Sequence, residues 1–157
     1  MKIGIGCDAH RFAQGRKLII GGVELAHSEG LMGHSDADVL LHAICDAMLG
    51  ALALGDIGHQ FPDSDESFRG IASTELLRRV KEMVEARGYA VGNVDCTIVA
   101  QEPRISPYVG SMRGLIAGIL GCETDCVSVK ATTTEGMGFC GRREGIAAMA
   151  VACLIKL

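Results

Sequence analysis

The sequence predicts an α/β protein, a two-layer sandwich of the α+β type in which one mixed β-sheet carries helices on one face. Two observations favour this class. Segments of alternating or β-branched residues and segments with apolar residues at three- and four-residue steps follow one another along the chain. The 157 residues suffice for one domain with a hydrophobic core, and no repeat or linker divides them. We therefore predict a single domain over residues 1–157.

The first half of the chain is predicted to hold two strands and two helices. Alternating residues at 2–7 and an apolar run at 17–20 indicate strands, which we expect to pair as a hairpin at the N-terminus. A helical pattern begins with Ser35 as the N-cap and continues to Gly55. A second amphipathic helix is predicted from Ser73 to Gly88.

The second half is predicted to alternate between strands and one helix. Strands are indicated at 94–101, 127–133 and 146–155, and a helix at 109–120 with Gly121 as its stop. The last strand is apolar on both sides, which predicts that both of its faces are covered. In so small a domain, packing between subunits could supply the second cover.

Composition excludes several classes of partner. Hydrophobic residues make up 48% of the chain, and no window approaches the roughly 18 uninterrupted apolar residues of a membrane-spanning helix. Fifteen basic and 19 acidic residues give a net charge of −4 with no block of either sign. We therefore predict a soluble protein that binds neither nucleic acid nor a membrane surface. A phosphate ligand would require metal or backbone donors.

Cysteine usage and the N-terminus bear on localisation. The seven cysteines are scattered without a C-x-x-C pair, which is typical of reduced thiols in the cytosol. Met1 leads directly into a predicted strand, without the features of a signal peptide. We expect a cytoplasmic protein, or one of the plastid stroma if a transit peptide had been removed.

A candidate metal site is indicated by Asp8, His10 and His42. Asp8 and His10 are two residues apart at the predicted end of a strand, so their side chains point to the same side. If the helix holding His42 approaches this strand end, the three form an open zinc site. The alternative is a chance pair of surface polar residues. Asp38 and Asp46, one turn to either side of His42, either orient its ring or solvate the helix.

Two further segments could bind phosphate. The G-H-S-D run at 33–36 enters the predicted helix, where free amides favour an anion. The alternative is ordinary capping by Ser35, and the two are compatible because a cap can also contact a ligand. Residues 130–143 combine a lysine, threonines, Glu135, glycines and two arginines, as a diphosphate and its divalent metal require. The alternative is a β-prone threonine run and a surface turn. The acidic loop at 56–65 could bind hydroxyl groups, but solvated acids are the default. Neither a P-loop nor a dinucleotide-binding glycine motif is present.

Seven motifs lie along the chain: D-A-H at 8–10, G-H-S-D at 33–36 leading to His42, L-G-D-I-G at 54–58, F-P-D at 61–63, N-V-D at 93–95, A-T-T-T-E at 131–135 and E-G-I at 144–146. Each is weak alone, but their order, their spacing and the total length together resemble the 2-C-methyl-D-erythritol 2,4-cyclodiphosphate synthase family. The resemblance spans essentially the whole chain.

The resemblance implies a lyase of the non-mevalonate isoprenoid pathway. It implies conversion of 4-diphosphocytidyl-2-C-methyl-D-erythritol 2-phosphate to the 2,4-cyclodiphosphate and CMP by metal-assisted intramolecular phosphoryl transfer. It also implies a homotrimer, with sheets packed around a three-fold axis and active sites between subunits. The required ions would be zinc and a second divalent cation, magnesium or manganese.

The resemblance also implies roles for individual residues. Asp8, His10 and His42 would bind zinc, and Glu135 would hold the magnesium or manganese ion. His34 and Thr133 match positions that stabilise the transition state. The residues expected to contact substrate are Ser35, Asp56, Ile57, Gly58, Phe61, Asp63, Asp65, Ala100, Arg104, Ser106, Ala131, Thr132, Thr134, Phe139 and Arg142.

Two positions depart from the family pattern. Some members of the family bind a prenyl diphosphate in a cavity on the trimer axis, with residues near position 7 in its lining. Cys7 stands where many members have a bulky apolar residue, which puts this binding in doubt. Arg104 stands where lysine is common, and keeps the charge but not the shape. Two other functions stay open: a zinc-dependent phosphohydrolase, and a non-catalytic trimeric nucleotide-binding module.

Overall fold

The computed structural model describes residues 1–157. Its strands are β1 (Lys2–Ala13), β2 (Leu18–Ile20), β3 (Val23–Leu25), β4 (Gly30–Leu31), β5 (Tyr89–Val99), β6 (Val127–Thr132) and β7 (Gly145–Lys156). Its helices are α1 (Val39–Ala51), α2 (Ile57–Gln60), α3 (Ser73–Ala86), α4 (Val109–Leu120) and α5 (Gly138–Gly141). Short 3₁₀ turns lie at Glu66–Phe68, Ser106–Tyr108 and Thr124–Cys126. None of the helices combines the length and the apolar character that crossing a membrane requires.

One mixed five-stranded sheet has the order β4-β1-β7-β5-β6, which confirms the predicted α/β class. β5 and β6 are parallel, and the other neighbours are antiparallel. The predicted pairing of residues 2–7 with 17–20 is wrong. β2 instead pairs with β3 across Gly21 and Gly22, and β1 pairs with β7 and β4. Because its ladder with β7 continues to Arg11, β1 extends well beyond residue 7.

The helical layer lies directly on β1 because two glycines of that strand leave room for it. A Cβ atom at Gly4 would lie 2.0 Å from the Ala47 carbonyl oxygen, and one at Gly6 would lie 2.0 Å from that of Ala43. Neither distance is possible for a real side chain, so α1 approaches β1 as closely as backbone atoms allow. The short alanines of β7, at Ala148, Ala150 and Ala152, are buried beneath the same layer.

The first turn of α1 differs from the prediction. Its N-cap is Asp38, not Ser35. The buried Asp38 carboxylate accepts the Leu41 N–H at 3.0 Å and also the N–H groups of Gly21 and Gly22, at 2.9 and 2.7 Å. The helix ends at Ala51 and not at Gly55, because the chain turns through a left-handed conformation at Ala53, with φ of 57°. α3 ends at Ala86, two residues before Gly88.

The opposite face of the sheet is uncovered within one chain. Ile5 is 71% exposed and Val151 is 41% exposed, and they face each other across the β1–β7 ladder. Ile3, Met149 and Ile155 are exposed as well. The predicted cover over the second face of the last strand is therefore not supplied by this chain.

Candidate active site

The three predicted zinc ligands converge. Asp8 and His10 lie two residues apart within β1, not at its end as predicted, and α1 holds His42 above them. His10 Nε2 lies 2.9 Å from Asp8 Oδ2, His42 Nδ1 lies 3.0 Å from the same oxygen, and the two nitrogens are 3.1 Å apart. The close approach of α1 to Gly4 and Gly6 brings these side chains together.

This donor set fits zinc. A tetrahedral zinc ion with bonds of about 2.0 Å separates its ligand atoms by about 3.3 Å. The three atoms lie 2.9, 3.0 and 3.1 Å apart, so a small outward movement accommodates an ion. A carboxylate and two imidazoles leave the fourth position open, as in catalytic zinc sites. The geometry thus favours a ligand set over a chance pair of surface polar residues.

Hydrogen bonds on the far side of each imidazole orient the rings. His10 Nδ1 lies 2.7 Å from the Met32 carbonyl oxygen. His42 Nε2 lies 2.9 Å from Ser73 Oγ and 3.1 Å from Ser35 Oγ. Such partners set the tautomer and orientation of metal-binding histidines.

Neither neighbouring aspartate performs the orienting role considered for it. Asp38 caps α1 and bonds the amides of the β2–β3 turn. The Asp46 carboxylate accepts the Ile57 N–H at 2.7 Å and so attaches the 56–58 loop to α1. Serine hydroxyls orient His42 instead.

Electrostatics keeps the Asp8 carboxyl ionised. Burial alone would raise its pKa, but hydrogen bonds and charge interactions with His10 and His42 outweigh burial and hold the pKa well below the ordinary range. For His10, burial would lower the pKa, but the hydrogen bond and the charge interaction with Asp8, together with the hydrogen bond to the Met32 carbonyl, outweigh burial and raise the pKa. An ionised carboxylate beside two imidazoles attracts a cation.

A cleft of about 240 Å³ opens over Asp8, His10 and His42, which we call the triad. It contains His34, Ser35, Ile57, Gly58, Phe61 and Asp63 from the predicted site. Phe68, Ile71 and Leu76 also line it and were not predicted, because their apolar side chains carry no chemical signal in the sequence. His34 Nε2 is buried and has no hydrogen-bond partner in the chain. It is therefore available to a ligand.

Residues 33–36 do not form the entry to α1 that was predicted, although binding of an anion by this segment stays a prediction. Residues 33–36 precede the N-cap Asp38, so they do not present the free amides of the first helical turn. The Asp38 carboxylate already occupies one of those amides. Ser35 Oγ instead accepts the Ala37 N–H at 3.1 Å and contacts His42.

A second cavity, of about 430 Å³, lies where β5 and β6 end in parallel. It brings together Ala100, Arg104, Ser106, Ala131, Thr132, Thr133 and Glu135 from the predicted site, and Gln101, Pro103 and Ile105 line it as well. Glu135 has a φ of 54°, and its N–H donates to Thr133 Oγ1 at 3.2 Å. Gly136 N–H donates to Gln101 Oε1 at 3.2 Å, which joins the two walls.

The remaining predicted residues lie outside both cavities. Asp56 caps α2 by accepting the His59 N–H, and Asp65 accepts the Ser67 N–H. Thr134 Oγ1 donates to the Met137 carbonyl, and Arg142 pairs with Glu144. Phe139 lines a third, smaller cavity beside His10. The two larger cavities share no residue, so one chain does not unite the triad with Thr133 and Glu135.

Comparison with known proteins decides the family. The model of the YgbB family matches residues 1–155. The chain belongs to the YgbB family. Its curated relatives in that family include 2-C-methyl-D-erythritol 2,4-cyclodiphosphate synthases. That of Alkaliphilus metalliredigens is 58% identical over 151 residues, covering 96% of this chain and 95% of the relative. That of Desulfitobacterium hafniense is 54% identical over 157 residues, covering 100% and 99%. These findings confirm the predicted family and the prediction of an enzyme.

Solved structures of YgbB-like synthases share the fold. A 2C-methyl-D-erythritol-2,4-cyclodiphosphate synthase described as its CDP-bound form is 33% identical, with a TM-score of 0.90, covering 98% of this chain and 99% of that one. The Plasmodium falciparum IspF, described as a CDP complex, is 32% identical with a TM-score of 0.86, covering 99% and 96%. Both are complexes with a cytidine nucleotide.

Proposed function

We propose that this protein converts 4-diphosphocytidyl-2-C-methyl-D-erythritol 2-phosphate to 2-C-methyl-D-erythritol 2,4-cyclodiphosphate and CMP. An oxygen of the 2-phosphate attacks the β-phosphorus of the same molecule. The bond from that phosphorus to the oxygen shared with the α-phosphate breaks, and this oxygen leaves with CMP. The enzyme needs no covalent nucleophile, because its task is to fold the substrate and align the attacking and leaving oxygens.

The convergence of Asp8, His10 and His42 in the cleft beside His34 is the observation that carries this proposal. A chain with a net charge of −4 can bind a substrate of several phosphates only through local cations and donors. Zinc at the triad and magnesium or manganese at Glu135 would polarise phosphoryl oxygens and neutralise their charge.

The chain's own donors complete the electrostatic stabilisation. His34 has a ring nitrogen without a partner in the chain, and it would donate a hydrogen bond to a phosphoryl oxygen. Thr133, directly after β6, would do the same from the second cavity. Around the triad, Ile57, Gly58 and Asp63 would hold the methylerythritol part. The second cavity would take the cytidine, which the CDP complexes of related synthases support.

Assembly of three chains would unite the two cavities. The triad and Glu135 line separate cavities of one chain, and the sheet leaves an apolar face uncovered. We therefore include in the proposal a homotrimer of single-domain chains, with each active site built from two neighbours. Phe139 and Arg142, which lie outside both cavities, would complete the site at that junction. We expect the protein to act in the cytoplasm.

Phosphorus NMR tests the proposal directly. Purified protein is incubated with 4-diphosphocytidyl-2-C-methyl-D-erythritol 2-phosphate, zinc and magnesium. CMP together with a cyclic diphosphate supports the synthase. A linear phosphorylated product would indicate the zinc phosphohydrolase instead. Unchanged substrate with no stoichiometric metal would indicate the nucleotide-binding module.

A further inference from the structure

The loop that carries His34 is held by an arginine from a different part of the chain. Arg16 follows β1, and its guanidinium reaches the segment before α1. Nη1 donates to the Gly33 carbonyl at 2.7 Å, and Nη2 donates to the Ser35 carbonyl at 2.5 Å. These two carbonyls flank His34 on both sides. One side chain therefore binds the peptide group that precedes His34 and the one that follows Ser35.

The His34 carbonyl itself accepts the Gly70 N–H at 2.9 Å. The residues that follow are held by Ser35 Oγ, which bonds His42 and the Ala37 N–H, and by the Asp36 N–H, which donates to the Ile71 carbonyl at 3.2 Å. Of the three successive carbonyls at 33–35, Arg16 therefore binds two. No hydrogen bond within the chain reaches His34 Nε2. The orientation of this ring thus depends on the backbone that Arg16 holds.

The sequence makes room for this arrangement. A Cβ atom at Gly30 would lie 2.7 Å from the Arg16 carbonyl oxygen and 2.3 Å from that of Lys17. Glycine therefore allows the segment after β1 to pack against β4, which places Arg16 within reach of residues 33–35. Guanidinium suits the task because its N–H groups form a rigid planar fork, whereas the ammonium of lysine is a compact point charge.

We propose that Arg16 is a positioning residue for His34, holding the Gly33–Ser35 backbone so that the His34 ring meets the transferred phosphoryl group. This inference rests on the proposed function, in which His34 stabilises the transition state. Arg16 itself need not touch substrate, and it does not line the cleft. Displacement of a catalytic group by about 1 Å can cost about 100-fold in rate. Loss of Arg16 should therefore lower kcat much more than it changes KM.

The chain offers a matched control in Arg113. Its Nε donates to the Val127 carbonyl at 2.7 Å, and its Nη2 donates to the Thr124 carbonyl at 3.0 Å. It therefore binds two backbone carbonyls as Arg16 does, but lines none of the cavities described above. Arg113→Ala therefore measures how far kcat falls when an arginine that binds two backbone carbonyls is lost away from the cleft.

The experiment measures kcat, KM and zinc content for Arg16→Ala, Arg16→Lys and Arg113→Ala. We expect about a 100-fold lower kcat for Arg16→Ala and about a 10-fold lower kcat for Arg16→Lys. We expect KM to change less than about threefold, zinc to stay stoichiometric, and Arg113→Ala to keep kcat within about twofold. A wild-type kcat in Arg16→Ala overturns the inference. Loss of zinc that accounts for the lost activity overturns it as well.

A double variant tests whether Arg16 acts through His34. If it does, Arg16→Ala combined with His34→Gln is no slower than His34→Gln alone, whereas independent roles multiply the two losses and overturn the inference. The nitrogen NMR signal of the His34 ring gives a second measurement that does not depend on turnover. This signal is assigned by its absence from the spectrum of His34→Gln. It should shift in Arg16→Ala and not in Arg113→Ala. If wild-type protein makes no cyclic product, the proposed function fails, and this signal still decides whether Arg16 positions the ring.

Discussion

The triad cleft and the second cavity are built in different ways. In the cleft, the side chains of Asp8, His10 and His42 are only 26%, 19% and 11% exposed, and they stand on a long strand and a buried helix. In the second cavity, Thr133 and Glu135 are exposed on a turn after β6 and bond mainly to each other. The first arrangement is fixed by the core, and the second by a local turn.

This difference predicts which properties belong to one chain and which belong to the proposed trimer. The triad needs only the packing of α1 on β1, which lies entirely within one chain. Most residues that line the second cavity are exposed, so it offers donors without enclosing a ligand. Zinc binding should therefore be a property of the single chain, and turnover a property of the proposed trimer.

The largest effect should come from breaking the triad. We expect His42→Ala to lose stoichiometric zinc and to lower kcat by on the order of 1,000-fold or more, since the metal contributes several kcal/mol of charge stabilisation. Elemental analysis and the product assay check this, and Glu24→Ala, at an exposed carboxylate on β3, serves as the control. The assembly should survive, because an open catalytic site is not a folding core. Full activity in zinc-free His42→Ala protein would contradict the mechanism.

An intermediate effect should come from the uncovered sheet face. Val151→Asp places a charge in the middle of this apolar surface, where burial without a partner is costly. We expect the proposed trimer to dissociate and kcat to fall by about 100-fold or more, while the protein still binds zinc. Analytical ultracentrifugation and elemental analysis measure the two properties separately.

Ala86→Asp, at the exposed end of α3, is the matched control for the introduced charge. It should leave both the mass and the activity unchanged. A monomeric Val151→Asp protein with full turnover would show that one chain builds the complete site, and the contrast between the two cavities would then lose its functional meaning.

A smaller effect is expected at the second cavity itself. Glu135→Gln keeps the shape of the side chain but removes the charge that would hold magnesium or manganese. We expect kcat to fall by about 10- to 100-fold and the activity to require more magnesium, with zinc content unchanged. A magnesium titration of the rate, alongside elemental analysis, checks this. An unchanged magnesium dependence would remove Glu135 from the metal site.

Much of the scaffold was predictable because long periodic segments carry strong signals. α4 has the predicted bounds of 109–120, and β7 extends the predicted strand by one residue at each end. The start of α1 was not predictable from local pattern, because Ser35 and Asp38 both precede the apolar run. Amides of Gly21 and Gly22, distant in sequence, bind Asp38 and decide between them. β3 and β4 are too short to show any period.

In the candidate site, too, local spacing was predictable and tertiary contacts were not. Spacing suggested that Asp8 and His10 share a side, but only the packing of α1 on Gly4 and Gly6 brings His42 to them. The apolar wall at Phe68 and Ile71 and the serines that orient His42 depend on tertiary contacts with no sequence signature.

The smallest effect should come from Arg104, at the rim of the second cavity. Its Nε donates to Ser106 Oγ at 3.0 Å, and its side chain is exposed. Arg104→Lys keeps the charge and loses only the planar donor geometry, so KM should rise by no more than about threefold. Arg104→Ala should raise KM by about tenfold and weaken CDP binding, measured by calorimetry, with zinc content unchanged. Within one chain this arginine is fixed by one contact in an open cavity. A larger rise of KM in Arg104→Lys would therefore mean that the proposed trimer holds its side chain as firmly as the core holds the triad.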